Sequence, residues 1–178
     1  MRGSFERKEN EMKVDSLEDV LIHELNDLYS AEDQLVEALP QMAEAASNTE
    51  LRNALQQHLD ETRDHRERIQ HIFGELGKRR TGIECEGMKG LIGEGEKIVN
   101  SSGDAAAKDA ALIGAAQRVE HYEIAAYGTA RTLAGELGLT DAESLLDQTL
   151  DEEGQADKLL TKIATGGMIK AGVNEAAR

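Results

Sequence analysis

The sequence predicts an all-α protein, and three observations support that class. The 178 residues include one proline and no tryptophan, and alanine, leucine, glutamate and glutamine, which favour helices, are common. Four long segments repeat apolar residues at the spacing of one helix face. Most of the 17 glycines fall outside those segments. A chain of this length is sufficient for one compact domain with a substantial core.

The first two long helices are predicted over residues 16–46 and 49–76. Ser16 is the expected N-terminal cap of the first. Its apolar pattern continues past Pro40, so the proline is expected to kink the helix rather than end it. A capping box that begins at Ser47 is expected to start the second helix. Because only a few residues separate the two helices, they should form an antiparallel hairpin.

The other two long helices are predicted over residues 104–136 and 141–165. The earlier one begins after a turn-like segment at Asp104 and is rich in alanine, which predicts close packing. The later one is expected to start at a capping box formed by Thr140 and Glu143. Their short connection predicts a second antiparallel hairpin.

The segment that joins the hairpins, residues 77–103, is too long for a plain loop in a compact domain. It contains apolar residues at helical spacing, so a short crossover helix is predicted over residues 86–99. Two antiparallel hairpins joined by one long crossover define the ferritin-like topology. The predicted fold is therefore a ferritin-like four-helix bundle with a short crossover helix.

Residues 1–12 are mostly charged and lack periodicity, so they are expected to be a flexible tail or a cloning remnant. Residues 13–178 would then form a single helical-bundle domain. The net charge of −15 favours attraction of cations and argues against nucleic acid as a partner.

The cysteine count and the hydropathy of the chain indicate where in the cell the protein is expected. The single cysteine, Cys85, excludes an internal disulfide and provides no thiolate cluster for zinc or iron–sulfur. No apolar run of about 18 residues is present, so no membrane association is expected. A cytoplasmic protein is predicted.

Four glutamates lie on the apolar faces of the four long helices: Glu32, Glu61, Glu123 and Glu153. A buried carboxylate without a partner is costly, so cations or protons must accompany such a group. A pair of divalent metal ions would compensate the charges of all four carboxylates. The pattern therefore predicts a dinuclear metal site inside the bundle.

Three further residues extend the predicted ligand set. Glu120 lies one turn before Glu123, His65 follows Glu61 at i+4, and Asp157 lies one turn after Glu153. Oxygen ligands with at most one or two imidazoles suit iron or manganese better than zinc or copper.

Several neighbouring side chains allow two interpretations. His58 and His65 can be ligands or hydrogen-bonded core histidines, and His65 is the better-placed candidate. Tyr29 and Tyr127 lie one turn from Glu32 and Glu123, respectively. They can either hydrogen-bond ligand carboxylates or simply pack in the core.

Four segments of the chain carry most of these residues. They are Leu28-Tyr29-Ser30-Ala31-Glu32, His58-Leu59-Asp60-Glu61-Thr62, Val119-Glu120-His121-Tyr122-Glu123-Ile124-Ala125 and Leu150-Asp151-Glu152-Glu153. These segments resemble the YciF-type ferritin-like stress-protein family, over about residues 13–165. The resemblance implies a four-helix bundle with a dimetal centre, an association with bacterial stress responses, and homodimers. It brings no settled biochemical activity.

Glu120-x-x-Glu123 is also similar to the third-helix pattern of rubrerythrins, which reduce peroxide at a di-iron site. Ferritin-like di-iron enzymes usually carry Glu-x-x-His motifs in the second and fourth helices. Here the corresponding motifs end in Asp64 and Ala156. The ligand set thus departs from the usual pattern in two helices.

The sequence favours a ferritin-like stress protein that binds two iron or manganese ions and reacts, if at all, with peroxide or oxygen. Its alternative is a metal-free helical dimer that acts as an interaction or structural stress protein. A DNA-protecting mini-ferritin is disfavoured by the net charge. The predicted metal-binding residues are Glu32, Glu61, Glu120, Glu123 and Glu153, with His65 and Asp157 in supporting positions.

Overall fold

The computed structural model describes residues 14–166 and 171–178, which form α-helices joined by short connections. The predicted tail, residues 1–12, lies outside the described residues. The helices are α1 (Leu17–Ala45), α2 (Thr49–Glu75), α3 (Glu86–Val99), α4 (Ala105–Glu136), α5 (Thr140–Thr165) and α6 (Val173–Ala176).

The all-α prediction is confirmed, and α3 coincides with the predicted crossover helix over residues 86–99. Helix α1 runs through Pro40 to Ala45, as the continuing apolar pattern predicts. Within the described residues, β-structure is limited to an isolated bridge between Gly166 and Ala171. No helix in that part of the chain is both long and apolar enough to cross a lipid bilayer.

Two of the predicted helix starts are confirmed. The Ser16 side chain accepts a hydrogen bond from the Asp19 backbone N–H. Likewise, the Asp104 side chain accepts one from the Ala107 N–H at the start of α4. Each cap satisfies a donor that the first turn of a helix leaves free.

The capping box predicted at Ser47 is wrong, because Asn48 caps α2. Asn48 Oδ1 accepts hydrogen bonds from the N–H groups of Glu50 and Leu51, at 2.9 and 3.1 Å. The Ser47 hydroxyl instead donates to the buried Asp109 carboxylate of α4, at 2.5 Å. A tertiary hydrogen bond therefore removes Ser47 from the capping position.

The capping box predicted at Thr140 is also wrong. Thr140 is the first residue of α5, and the residue in the cap position is Leu139, which makes no side-chain capping bond. The helix therefore begins one residue earlier than a Thr140 cap would allow.

The four long helices enclose a common interior. Helix α1 packs along α2 and α4 packs along α5, while α1 also contacts α4 and α2 contacts α5. The shorter α3 lies against α1 and α4. This arrangement brings the apolar faces of α1, α2, α4 and α5 together, which buries the side chains that the helical periodicity singles out.

The buried apolar residues divide into two clusters along the helices. One cluster contains the later part of α1, the start of α2, the first half of α4 and the end of α5. The other contains the start of α1, the end of α2, the second half of α4 and the start of α5. A layer of polar side chains separates the two clusters at mid-height, and this layer is the candidate functional site.

Candidate metal centre

Buried ionisable side chains from all four long helices form the polar layer. Its members are less than 5% exposed, in a chain whose other carboxylates are mostly at the surface. Charged groups are rarely buried in this way without partners. The layer consists of Glu32 from α1, His58 and His65 from α2, Glu120 and Glu123 from α4, and Glu153 from α5.

These side chains form two groups whose ligand atoms lie within 4.8 Å of one another. The first group, which we call position A, comprises His58, Glu120, Glu123 and Glu153. The second, position B, comprises Glu32, His65 and Glu153. Each group contains enough carboxylate and imidazole atoms to bind one metal ion.

Glu153 belongs to both groups. Its Oε2 lies 4.0 Å from His58 Nε2 in position A, and its Oε1 lies 2.9 Å from His65 Nδ1 in position B. The two oxygens of this carboxylate thus face different positions. Glu153 could therefore contribute a ligand atom to each position.

The hydrogen-bonding state of the layer fits a metal site. Buried polar atoms normally have partners, and an unpartnered one is costly. Here many of the potential ligand atoms lack any hydrogen-bond partner. They are Glu32 Oε2, Glu120 Oε2, both carboxylate oxygens of Glu123 and of Glu153, both ring nitrogens of His58, and His65 Nδ1. Glu153 Oε1 and His65 Nδ1 lie 2.9 Å apart, but their angles do not allow a hydrogen bond. Oxygen-rich ligation with two imidazoles matches the preferences of iron and manganese.

Burial dominates the electrostatics of three of the carboxyl groups. It raises the pKa of Glu32 despite contacts with His65. It raises the pKa values of Glu120 and Glu123 well above their usual range, and the neighbouring Glu153 adds to both shifts. Without a cation, these groups favour their protonated forms.

The pKa values of His58, His65 and Glu153 shift in the direction opposite to the one that burial favours. Burial disfavours imidazolium, but Glu120 and the other nearby carboxylates outweigh it and raise the pKa of His58 to about 9. Glu153 and Glu32 raise the pKa of His65 to about 11 in the same way. Burial favours neutral Glu153, but the contact with His65 and the nearby His58 lower its pKa.

An outer hydrogen-bond network orients His65. His65 Nε2 lies 2.9 Å from Glu152 Oε2, and Arg68 donates to both oxygens of that carboxylate, at 2.5 and 3.1 Å. Burial disfavours the Glu152 charge, but the hydrogen bonds with Arg68, Gln148 and His65 together outweigh it and lower the pKa of Glu152 to about 2. An anionic Glu152 accepts a hydrogen bond from His65 Nε2–H, and Nδ1 is directed towards position B.

The two tyrosines considered from the sequence differ in their contacts. The Tyr127 hydroxyl donates a short hydrogen bond to Glu32 Oε1, so it can orient that carboxylate. Tyr29 instead packs beneath the Arg80 guanidinium, which lies 3.7 Å from its ring centroid.

Five of the seven predicted ligands lie in position A or B, and the other two lie at the partly exposed edge of the layer. Glu61 is 29% exposed, accepts a hydrogen bond from Gln57 at 2.8 Å, and lies 3.8 Å from His58 Nδ1. Asp157 is 22% exposed and accepts a hydrogen bond from Gln117 at 2.9 Å. Neither belongs to position A or B. The five gathered ligands are Glu32, His65, Glu120, Glu123 and Glu153.

His58 takes the place that the sequence argument gave to Glu61. At 100° per residue, Glu61 lies at the edge of the buried face of α2, whereas His58, Thr62 and His65 follow its centre. The signal that identifies His58 is therefore its position on the stripe. Glu152 carried no comparable signal, because its role depends on Arg68 in another helix.

The fold and the layer define an all-helical protein whose four long helices bury a shared cluster of carboxylates and imidazoles. The chain belongs to the family described as a domain of unknown function, DUF892, whose profile matches residues 16–177. Protein YciF of Escherichia coli is 45% identical over 166 residues, which cover 93% of this chain and all of that protein.

Solved structures agree with this assignment. The crystal structure of the E. coli stress protein YciF superposes with a TM-score of 0.82 at 46% identity, covering 84% of this chain and 94% of the other. YcfI of Rhodopseudomonas palustris, described as a candidate structural protein, gives a TM-score of 0.82 at 39% identity, covering 89% and 99%. The resemblance to the YciF-type family is thereby confirmed.

Proposed function

We propose that this protein is a ferritin-like four-helix bundle that binds a dinuclear iron or manganese centre at positions A and B. The observation that carries the proposal is the set of buried ligand atoms without hydrogen-bond partners, arranged around the shared Glu153. Two divalent cations would add four positive charges to a layer that contains four carboxylates. Their binding would remove both the unpaired atoms and the carboxylate repulsion.

The surrounding residues have distinct roles in this proposal. His58, Glu120 and Glu123 would hold one ion, Glu32 and His65 the other, and Glu153 both. Glu152 would orient His65. Glu61, which the sequence predicts as a ligand, and Asp157 would be supporting residues at the margin. When bound, iron or manganese would supply one-electron redox chemistry towards peroxide or oxygen.

The cellular part of the proposal rests on the relatives and on composition. One relative is described as a stress protein, and we propose a role in stress for this chain as well. A cytoplasmic homodimer without nucleic-acid partners fits the net charge of −15 and the single cysteine.

The second candidate function is a metal-free interaction or structural stress protein. It is favoured by the description of YcfI as a candidate structural protein. It is also compatible with the raised pKa values of His58 and His65, since two imidazolium groups can partly neutralise the layer.

A kinetic experiment separates the two functions. Protein loaded with ferrous iron should consume hydrogen peroxide or oxygen faster than the same concentration of free ferrous ion, with an optical change as the iron is oxidised. Glu120→Gln should lower this rate, because Glu120 lies in position A. Glu24→Gln, which changes a carboxylate outside both positions, should leave it unchanged. Rates equal to the free-ion control would contradict a redox function.

A further inference from the structure

A cavity of about 230 Å³ lies between α2 and α5 beside position A. His58 and Glu120 line it, whereas Glu32, His65 and Glu153 do not. The two metal positions are therefore unequal, because only the side chains of position A border this space.

The cavity exists because small residues face it from both helices. Ala54 of α2 and Ala156 of α5 line its sides, together with neighbouring leucines. Ala156 lies three residues after Glu153, where di-iron bundles carry the histidine of a Glu-x-x-His motif. A methyl group in place of an imidazole leaves room for a ligand.

The polar groups at the inner wall are available to a ligand. Both ring nitrogens of His58 and Glu120 Oε2 lack hydrogen-bond partners, although these side chains are at most 5% exposed. The two side chains are close together, because His58 Nε2 lies 3.5 Å from Glu120 Oε1. One hydroxyl group could both hydrogen-bond with the Glu120 carboxyl group and approach the imidazole.

The residues that line the cavity favour an uncharged ligand. Glu61 and Glu152, whose pKa values are lowered, line the cavity, so an organic anion would meet ionised carboxylates. The charge of protonated His58 is already opposed by Glu61 and Glu153, whose oxygens lie 3.8 and 4.0 Å from its ring nitrogens. The alanine and leucine side chains favour an apolar group. The volume exceeds the roughly 150 Å³ of an apolar cavity that admits benzene.

We propose that this cavity binds a small uncharged organic molecule with a hydroxyl or hydroperoxyl group. That group would contact His58 and Glu120, and the apolar part would lie between Ala54 and Ala156. Alcohols and organic hydroperoxides are thus the ligand class. Binding of this ligand class does not depend on the proposed metal centre.

The test uses metal-free full-length protein, with benzyl alcohol as the probe and benzoate as its anionic counterpart. Nuclear magnetic resonance titration should give a dissociation constant in the millimolar range for benzyl alcohol and at least about tenfold weaker binding of benzoate. Ala156→Leu should weaken benzyl alcohol binding at least about tenfold, because the larger side chain fills the cavity. Ala125→Leu, at an exposed site on α4, should leave it unchanged.

The proposal is overturned if benzyl alcohol does not bind, if benzoate binds as tightly, or if Ala156→Leu binds benzyl alcohol like the wild type. Circular dichroism checks the fold of each variant. If Ala156→Leu does not fold, Ala54→Leu narrows the same cavity from α2 and gives the same comparison. Because no metal is added, failure here is distinct from failure of the metal proposal.

Discussion

Replacing Glu153 with glutamine should remove both metal ions from the protein, whereas Glu32→Gln should remove only the ion at position B. Glu153 supplies atoms to both ligand groups, and Glu32 to one. An amide lacks the negative charge and presents one oxygen instead of two, so affinity at an affected position should fall at least about 100-fold. Elemental analysis after loading and desalting should give near two ions per chain for the wild type, one for Glu32→Gln and none for Glu153→Gln.

Glu37→Gln provides the matched control, because it changes an exposed carboxylate on the same helix as Glu32. It should retain the wild-type metal content. Circular dichroism separates loss of the site from loss of the fold. Two ions per chain in folded Glu153→Gln would show that this carboxylate does not connect the two positions.

The second large effect is on stability: the metal-free protein should become less stable as the pH rises, and bound metal should oppose this trend. His58 has a folded-state pKa of about 9 against an ordinary value of 6.5, so the folded protein holds more protons than the unfolded chain between these values. The stabilisation is complete below pH 6.5 and is lost as the pH rises through 9. A pKa shift of this size corresponds to a loss of the order of 3 kcal/mol, which His58 shares with the carboxylates around it. The raised pKa values of Glu120 and Glu123 act in the same direction.

Urea denaturation of metal-free protein at about pH 6.5 and pH 8.5 should therefore show lower stability at the higher pH. Added manganese binds deprotonated ligands, so its stabilising effect should be larger at the higher pH. His58→Gln should reduce the pH dependence of the metal-free protein, while His121→Gln, at an exposed site, should not. A manganese effect that is no larger at the higher pH would exclude the layer as its binding site.

The fold followed closely from the sequence because helical periodicity is a local property. A glutamate at a central stripe position, such as Glu32 or Glu153, indicates burial without knowledge of the partner helices. The crossover helix was equally predictable from its apolar spacing and the length of its segment. Both inferences need only the rotation of about 100° per residue.

The features that escaped prediction depend on contacts between helices. Ser47 does not cap α2 because Asp109 of α4 binds it. Glu152 has a low pKa because Arg68 of α2 binds it. Similarly, the choice between His58 and Glu61 required the exact rotation of α2, whose sparse apolar residues define its buried face poorly. The spacing of residues along the sequence predicts which way a side chain points from its own helix. It does not predict which side chain of another helix it will contact.

The most direct test of the dinuclear centre is an anomalous-difference map from a crystal soaked in manganese. The account predicts two peaks inside the bundle. One should lie among His58, Glu120, Glu123 and Glu153, and the other among Glu32, His65 and Glu153. Peaks confined to surface carboxylates, with none in this layer, would contradict it.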